Sequence, residues 1–178
     1  MKASYKIALG AVFMALSTIF MLATSVFPFA SFAFPAIAGA LLIVINVEIG
    51  RKWALLVYAG VSLLSLFVSS DHTAVISFIV FFGYYPIIKG VIERCRKRWL
   101  EWLLKMLIFN AAILVGVLLT ILLFGLDILL AEYSEFGKIG LGLFVLACEV
   151  VFIVFDIALT RLITLLIYKV MPKLRRLR

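Results

Sequence analysis

Six apolar runs dominate this chain and leave little else to fold: residues 7–27, 34–50, 53–70, 74–92, 103–125 and 140–168. A bilayer core of about 30 Å needs about 20 helical residues to cross it. Runs of this length therefore predict an all-α integral membrane protein, a six-transmembrane-helix bundle forming a single domain over residues 1–178. With 66% of its 178 residues hydrophobic, the chain keeps only short loops and a short basic tail. No catalytic or nucleotide-binding domain fits into what remains.

Charge orients the bundle. Of 17 Lys and Arg residues, only Lys138 falls outside the loops, ends and helix boundaries on one side of such a bundle. Cationic side chains mark the cytoplasmic side, so both termini are expected there, in a multi-pass protein of the cell membrane. Lys2 and Lys6 precede a run long enough to span, and this reads as an uncleaved first helix. The net charge of +8 is accounted for by this anchoring. The inner cations also suit anionic lipid headgroups, and no basic module with interleaved aromatics points to nucleic acid.

The connections differ in character. Pro28-Phe29-Ala30-Ser31-Phe32 is an uncharged, aromatic outer loop, and Gly50-Arg51-Lys52 is a tight inner turn that predicts an antiparallel hairpin. Trp53 sits where an indole straddles the headgroup boundary. The polar turn Ser69-Ser70-Asp71-His72-Thr73 can cap the fourth helix. The long inner connection mixes Glu93, Arg94, Arg96, Lys97, Arg98, Glu101 and Lys105 with Trp99 and Trp102, the composition of an amphipathic stretch along the membrane face. From Asp127 to Lys138 the outer connection is acidic, with Glu132 and Glu135 beside Tyr133 and Phe136. The last run exceeds one bilayer thickness, so it tilts or emerges as a basic segment ending in Arg175, Arg176 and Arg178. Most of the intramembrane acidity lies in the second half, which suggests anchoring by early helices and site-building by later ones.

Ionisable groups within spans are the sharpest local signal. Glu149 and Asp156 lie seven residues apart on roughly one helix face, and a charge at mid-membrane costs about 2.5 to 3.5 kcal/mol. Both are expected to face the bundle interior. Three readings stand open: a structural hydrogen bond to Asn110, Thr120 or a carbonyl, a substrate contact, or a proton or cation relay. Arg161 lies near the inner boundary, within reach of a carboxylate on a neighbouring helix. Phe81-Phe82-Gly83-Tyr84-Tyr85-Pro86 interrupts the fourth span, because proline removes a backbone donor and kinks a helix. Asn46, Glu48, Lys89 and Glu93 gather near inner helix ends, where an ion pair of Glu48 with Lys89 is expected. His72 is the only histidine and stands on an outer turn, so no metal site is expected. Cys95 and Cys148 fall in a loop and a span and do not pair. Phosphate-binding, zinc-helix and nucleophile-turn motifs are absent, and the chain is read as no enzyme and as using no cofactor.

Small residues supply the remaining signal. Ala11 and Ala15 lie four apart in the first span, as do Ala36 and Ala40 in the second and Ala112 and Gly116 in the fifth. This spacing leaves a groove into which another helix can press, either within the bundle or from a partner. The stretch Ala11-Val12-Phe13-Met14-Ala15, within the start KIALGAVFMALS, resembles the Ala-x-x-x-Ala segment of the substrate-binding S components of energy-coupling factor (ECF) transporters. Size, six helices, inward termini and a short aromatic first loop are similar too. No residues match a riboflavin, thiamine or biotin pocket. The resemblance implies that Ala11 and Ala15 contact a transmembrane coupling subunit driven by cytoplasmic ATPases. It also implies that later helices and outer loops hold a small molecule captured from outside, with Glu149, Asn110, Tyr84 and His72 as candidate contacts. The alternatives are a structural or assembly membrane protein without a ligand, or an autonomous proton-coupled carrier using Glu149 and Asp156.

Overall fold

The structure, a computed structural model, describes residues 3–27, 30–94, 97–125 and 137–170. Pro28 and Phe29, Cys95 and Arg96, the acidic stretch from Asp127 to Phe136 and the basic end with Arg175, Arg176 and Arg178 lie outside the described residues. Every regular element among those described is helical. The order is α1 (Ala3–Val26), α2 (Ala33–Glu48), α3 (Arg51–Val68), α4 (His72–Ser77), a π-helical segment (Phe78–Phe82), α5 (Tyr85–Ile92), α6 (Arg98–Phe124) and α7 (Gly137–Leu165), which continues as a π-helical segment, Leu166–Val170.

Among the described residues, five stretches are long and apolar enough to cross a membrane: Ala3–Val26, Arg51–Val68, His72–Ile92, Arg98–Phe124 and Val145–Tyr168. The sixth expected span, α2, is shorter. Its 16 residues extend about 24 Å at 1.5 Å per residue, because the chain leaves the helix at Ile49 and turns at Gly50. Gly50 adopts φ +112°, a left-handed conformation that glycine reaches without a Cβ clash. What α2 lacks in length it makes up in enclosure: Pro35, Ala38, Gly39, Leu42, Ile43 and Ile45 are all buried. The outer faces of the longer helices remain apolar, with Phe67 83% and Leu122 81% exposed. Such extensive apolar surface suits lipid and not water.

The first three helices pack closely on one another. Met21, Ala38, Leu42, Ile45, Val57 and Val61 form their shared core. Small residues and hydroxyls allow the close approach. Ser17 Oγ donates to Ala38 O at 3.2 Å, and Ser69 Oγ donates to Met21 O at 3.3 Å. Gly39 carries the tightest contact. A Cβ there would sit 1.9 Å from Phe82 O, so α2 lies directly against the backbone of the π-helical segment.

That segment replaces the expected proline kink. The helix widens at Phe78–Phe82 and breaks at Gly83-Tyr84 before Pro86 enters the first turn of α5. Proline disfavours helical geometry in the residue before it, so the interruption falls upstream of the ring. The Tyr58 hydroxyl of α3 donates to Ile79 O at 2.7 Å and pins the widened turn. Asp71 caps α4 as expected, accepting from Ala74 N at 3.0 Å.

Candidate functional site: a buried ion cluster between α5, α6 and α7

Three helices each present one stripe to a common interior. On the fourth membrane stretch the stripe is Phe81, Tyr85, Lys89, Glu93, at four-residue steps that stack side chains on one helix face. On α6 it is Glu101, Lys105, Phe109, the same chemical order reversed. On α7 it is Phe152 followed by Asp156. Because the chain doubles back between α5 and α6, the reversed stripes match level for level.

The first level is aromatic. Phe109 stacks on Phe152 with centroids 4.5 Å apart, and Phe81 meets both edge-on at 5.2 and 5.7 Å. The Tyr85 ring stacks on Phe81 at 4.8 Å and carries its hydroxyl to the next level. There the Tyr85 hydroxyl donates to Asp156 Oδ1 at 2.6 Å, Lys105 Nζ donates to Asp156 Oδ2 at 2.8 Å, and Lys89 Nζ binds Asp156 Oδ1. Lys89 also donates to the Asp156 carbonyl at 3.1 Å. On the third level Glu93 accepts from Lys89 at 2.8 Å and from Lys105 at 3.2 Å, and Glu101 accepts from Lys105 at 2.8 Å.

Burial makes this arrangement consequential. Lys89 is fully buried, and Lys105 and Asp156 are 2% and 3% exposed. An isolated charge in such surroundings is strongly disfavoured, and only pairing with further hydrogen bonds makes it tolerable. Both oxygens of the Asp156 carboxylate are engaged, and each ammonium has three acceptors. The cluster is self-satisfied. It offers no free nucleophile, and moving a proton through it requires breaking an ion pair first. Among the described residues, no group of His, Cys, Asp and Glu side chains is arranged to hold a metal ion.

The sequence-derived candidates separate into different places. Glu149 and Asn110 do meet: Asn110 Nδ2 donates to Glu149 Oε1 at 2.7 Å, the structural hydrogen bond that was one of the three readings. Tyr84 shares no hydrogen bond or ring contact with that pair. It lies half-buried and edge-on to Tyr58, with centroids 6.4 Å apart, and its neighbour Tyr85 is the tyrosine that enters the polar cluster. His72 is exposed as the first residue of α4 and lies 5.1 Å from Phe124, centroid to centroid. Asp156 and Glu149 are not joined by any hydrogen bond. Lys89 pairs with Asp156 and Glu93 instead of the expected Glu48, because its helix face turns toward α7 and away from α2. Arg161 makes no ion pair among the described residues.

The small-residue pairs also divide. Ala112 is buried, and a Cβ at Gly116 would lie 3.5 Å from Val80, so this pair packs inside the bundle. Ala36 and Ala40 are half-buried. Ala11 and Ala15 are exposed, whereas α1 turns Gly10, Ser17, Met21 and Thr24 inward. Compared with known proteins, the chain matches no family model, and neither a curated protein nor a solved structure is significantly similar to it.

Proposed function

We propose that this chain is the substrate-binding membrane subunit of an ECF-type uptake transporter for a vitamin or other micronutrient. In this reading it crosses the cell membrane six times, with both termini in the cytoplasm, and works with a transmembrane coupling subunit and cytoplasmic ATPases. The observation that carries it is the outward turn of Ala11 and Ala15. Internal packing is the ordinary use of such a pair, and here α1 packs inward through a different face. A smooth, small-residue surface on an otherwise bulky exterior suits a partner helix that approaches closely in lipid. Glu149 and Asn110, already bonded, form the polar pair available to a ligand, with Tyr84, His72 and the outer loops as further contacts.

Purification from native membranes in gentle detergent, with co-purifying proteins identified by mass spectrometry, tests the reading. Wild type brings down a membrane subunit and ATPases, and an Ala11→Leu/Ala15→Leu protein of unchanged thermal stability does not. Retention of the same partners by the double variant removes the proposal's basis. The self-satisfied ion cluster favours a second reading, a structural or assembly protein whose polar groups only lock helices together. Co-purification of other membrane proteins, without ATPases, selects it.

A further inference from the structure

The ion cluster opens on one side into a cleft of about 330 Å³ between α6 and α7. Arg98 and Arg161 line it, with Lys105, Glu93, Glu101 and Trp102. Both arginines are exposed, and neither makes an ion pair among the described residues. The three carboxylates of the region, Glu93, Glu101 and Asp156, are already engaged by Lys89 and Lys105. The cleft itself is lined by three cations and three carboxylates, with Lys89 buried behind it, and the two arginines without an ion pair face it.

Trp102 also borders a second hollow. A groove of about 450 Å³ runs up the outer face of α6, lined by Trp99, Trp102, Leu103, Met106, Leu107 and Asn110. Its lining is almost wholly apolar, and Leu103 and Leu107 are 52% and 60% exposed. A cleft edged by two arginines thus continues into an apolar groove, with tryptophans at the junction, where indoles rest at the headgroup level.

We propose that this joined surface is a binding site for an anionic phospholipid. Arg98 and Arg161 hold the phosphate, and one acyl chain lies in the α6 groove. Guanidinium groups bind phosphate oxygens in a planar fork and remain charged throughout. The groove accepts a chain because its outer side already faces lipid. Charge complementarity selects an anionic lipid over a zwitterionic one, and the site is independent of whether the chain transports anything.

The test titrates the full-length protein in detergent with phosphatidylglycerol, phosphatidylcholine and inorganic phosphate, counting bound lipid by native mass spectrometry. Wild type prefers phosphatidylglycerol. The Arg98→Gln/Arg161→Gln protein loses roughly fivefold per arginine, about twenty-five-fold in all, while its weak phosphatidylcholine binding falls much less, so that the preference is lost. Arg98→Lys/Arg161→Lys keeps most of the preference, and Trp99→Ala weakens binding of both lipids. Wild-type affinity for phosphatidylglycerol also falls as salt rises, a readout that needs no variant. Equal binding of the two lipids, a salt-independent affinity or an unaltered Gln variant overturns the proposal. Competition by inorganic phosphate as effective as by the lipid overturns it too, since that marks a site for free phosphate.

Discussion

The two halves of this bundle solve the problem of helix association in lipid by opposite means. Helices α1 to α3 approach closely, through alanine, glycine and hydroxyls that bond to neighbouring backbones. Helices α5 to α7 stand further apart, and the space between them holds stacked aromatics and five charged side chains. The difference follows from what lipid does not supply. Apolar burial drives association weakly there, so contact comes either from backbones brought close or from polar groups that lipid would leave unsatisfied. Close backbones tolerate no added volume, and a buried ion cluster tolerates no missing partner. The halves therefore fail in different ways.

The most damaging change is expected at Asp156. Replacement by Ala removes the acceptor shared by Tyr85, Lys89 and Lys105, leaving the buried Lys89 to Glu93 and Lys105 to Glu93 and Glu101, and unfolding in detergent is expected to show a loss of about 3–5 kcal/mol. A loss under about 1 kcal/mol would show the cluster to be water-filled and weak. Gly39→Ala attacks the other half by forcing a Cβ onto Phe82 O, for which overpacking of about 3 kcal/mol is expected. Thermal unfolding checks it, and a neutral result would mean that α2 slides without cost. Tyr85→Phe removes one hydrogen bond to a carboxylate and leaves the ring stack intact, an expected loss of about 2 kcal/mol. Ser17→Ala, its counterpart in the first half, is expected to cost only about 0.6 kcal/mol. At the bottom of the scale, Ala11→Leu changes stability by less than about 0.5 kcal/mol, because Ala11 is exposed. Its effect belongs to partner binding.

Much of the fold was legible from the apolar runs, since their length and polar boundaries determine where helices start and stop. The exception was α2: the turn at Gly50-Arg51-Lys52 was legible, but not that the helix ends at Glu48 and stays shorter than the other spans. The Glu149–Asn110 pair was also legible, as two polar groups at similar depth on different helices. The ion cluster was not, for a reason visible in its members. Glu101 read as a loop residue because α6 begins at Arg98, five residues before the apolar run, and Lys105, just inside that run, was grouped with it by its charge. Lys89 was assigned to Glu48 because the charge pattern placed both at the same ends of their helices, and sequence does not show which way a helix face is turned. One signal was available: Tyr85-Lys89-Glu93 and Glu101-Lys105-Phe109 are mirror images at four-residue spacing, as two antiparallel helices sharing a polar level require.

The most direct measurement is a double-mutant cycle on Lys89 and Asp156, with Lys89→Met, Asp156→Leu and the pair compared by unfolding in detergent. Each single change leaves a buried charge with one partner fewer: Asp156 keeps only Lys105, or Lys89 keeps only Glu93. In the double variant the cations and anions that remain, Lys105 with Glu93 and Glu101, are still paired. The account predicts that each single variant loses several kcal/mol and that the double variant recovers most of it. Losses that simply add would contradict the claim that these charges act as one unit holding α5, α6 and α7 together.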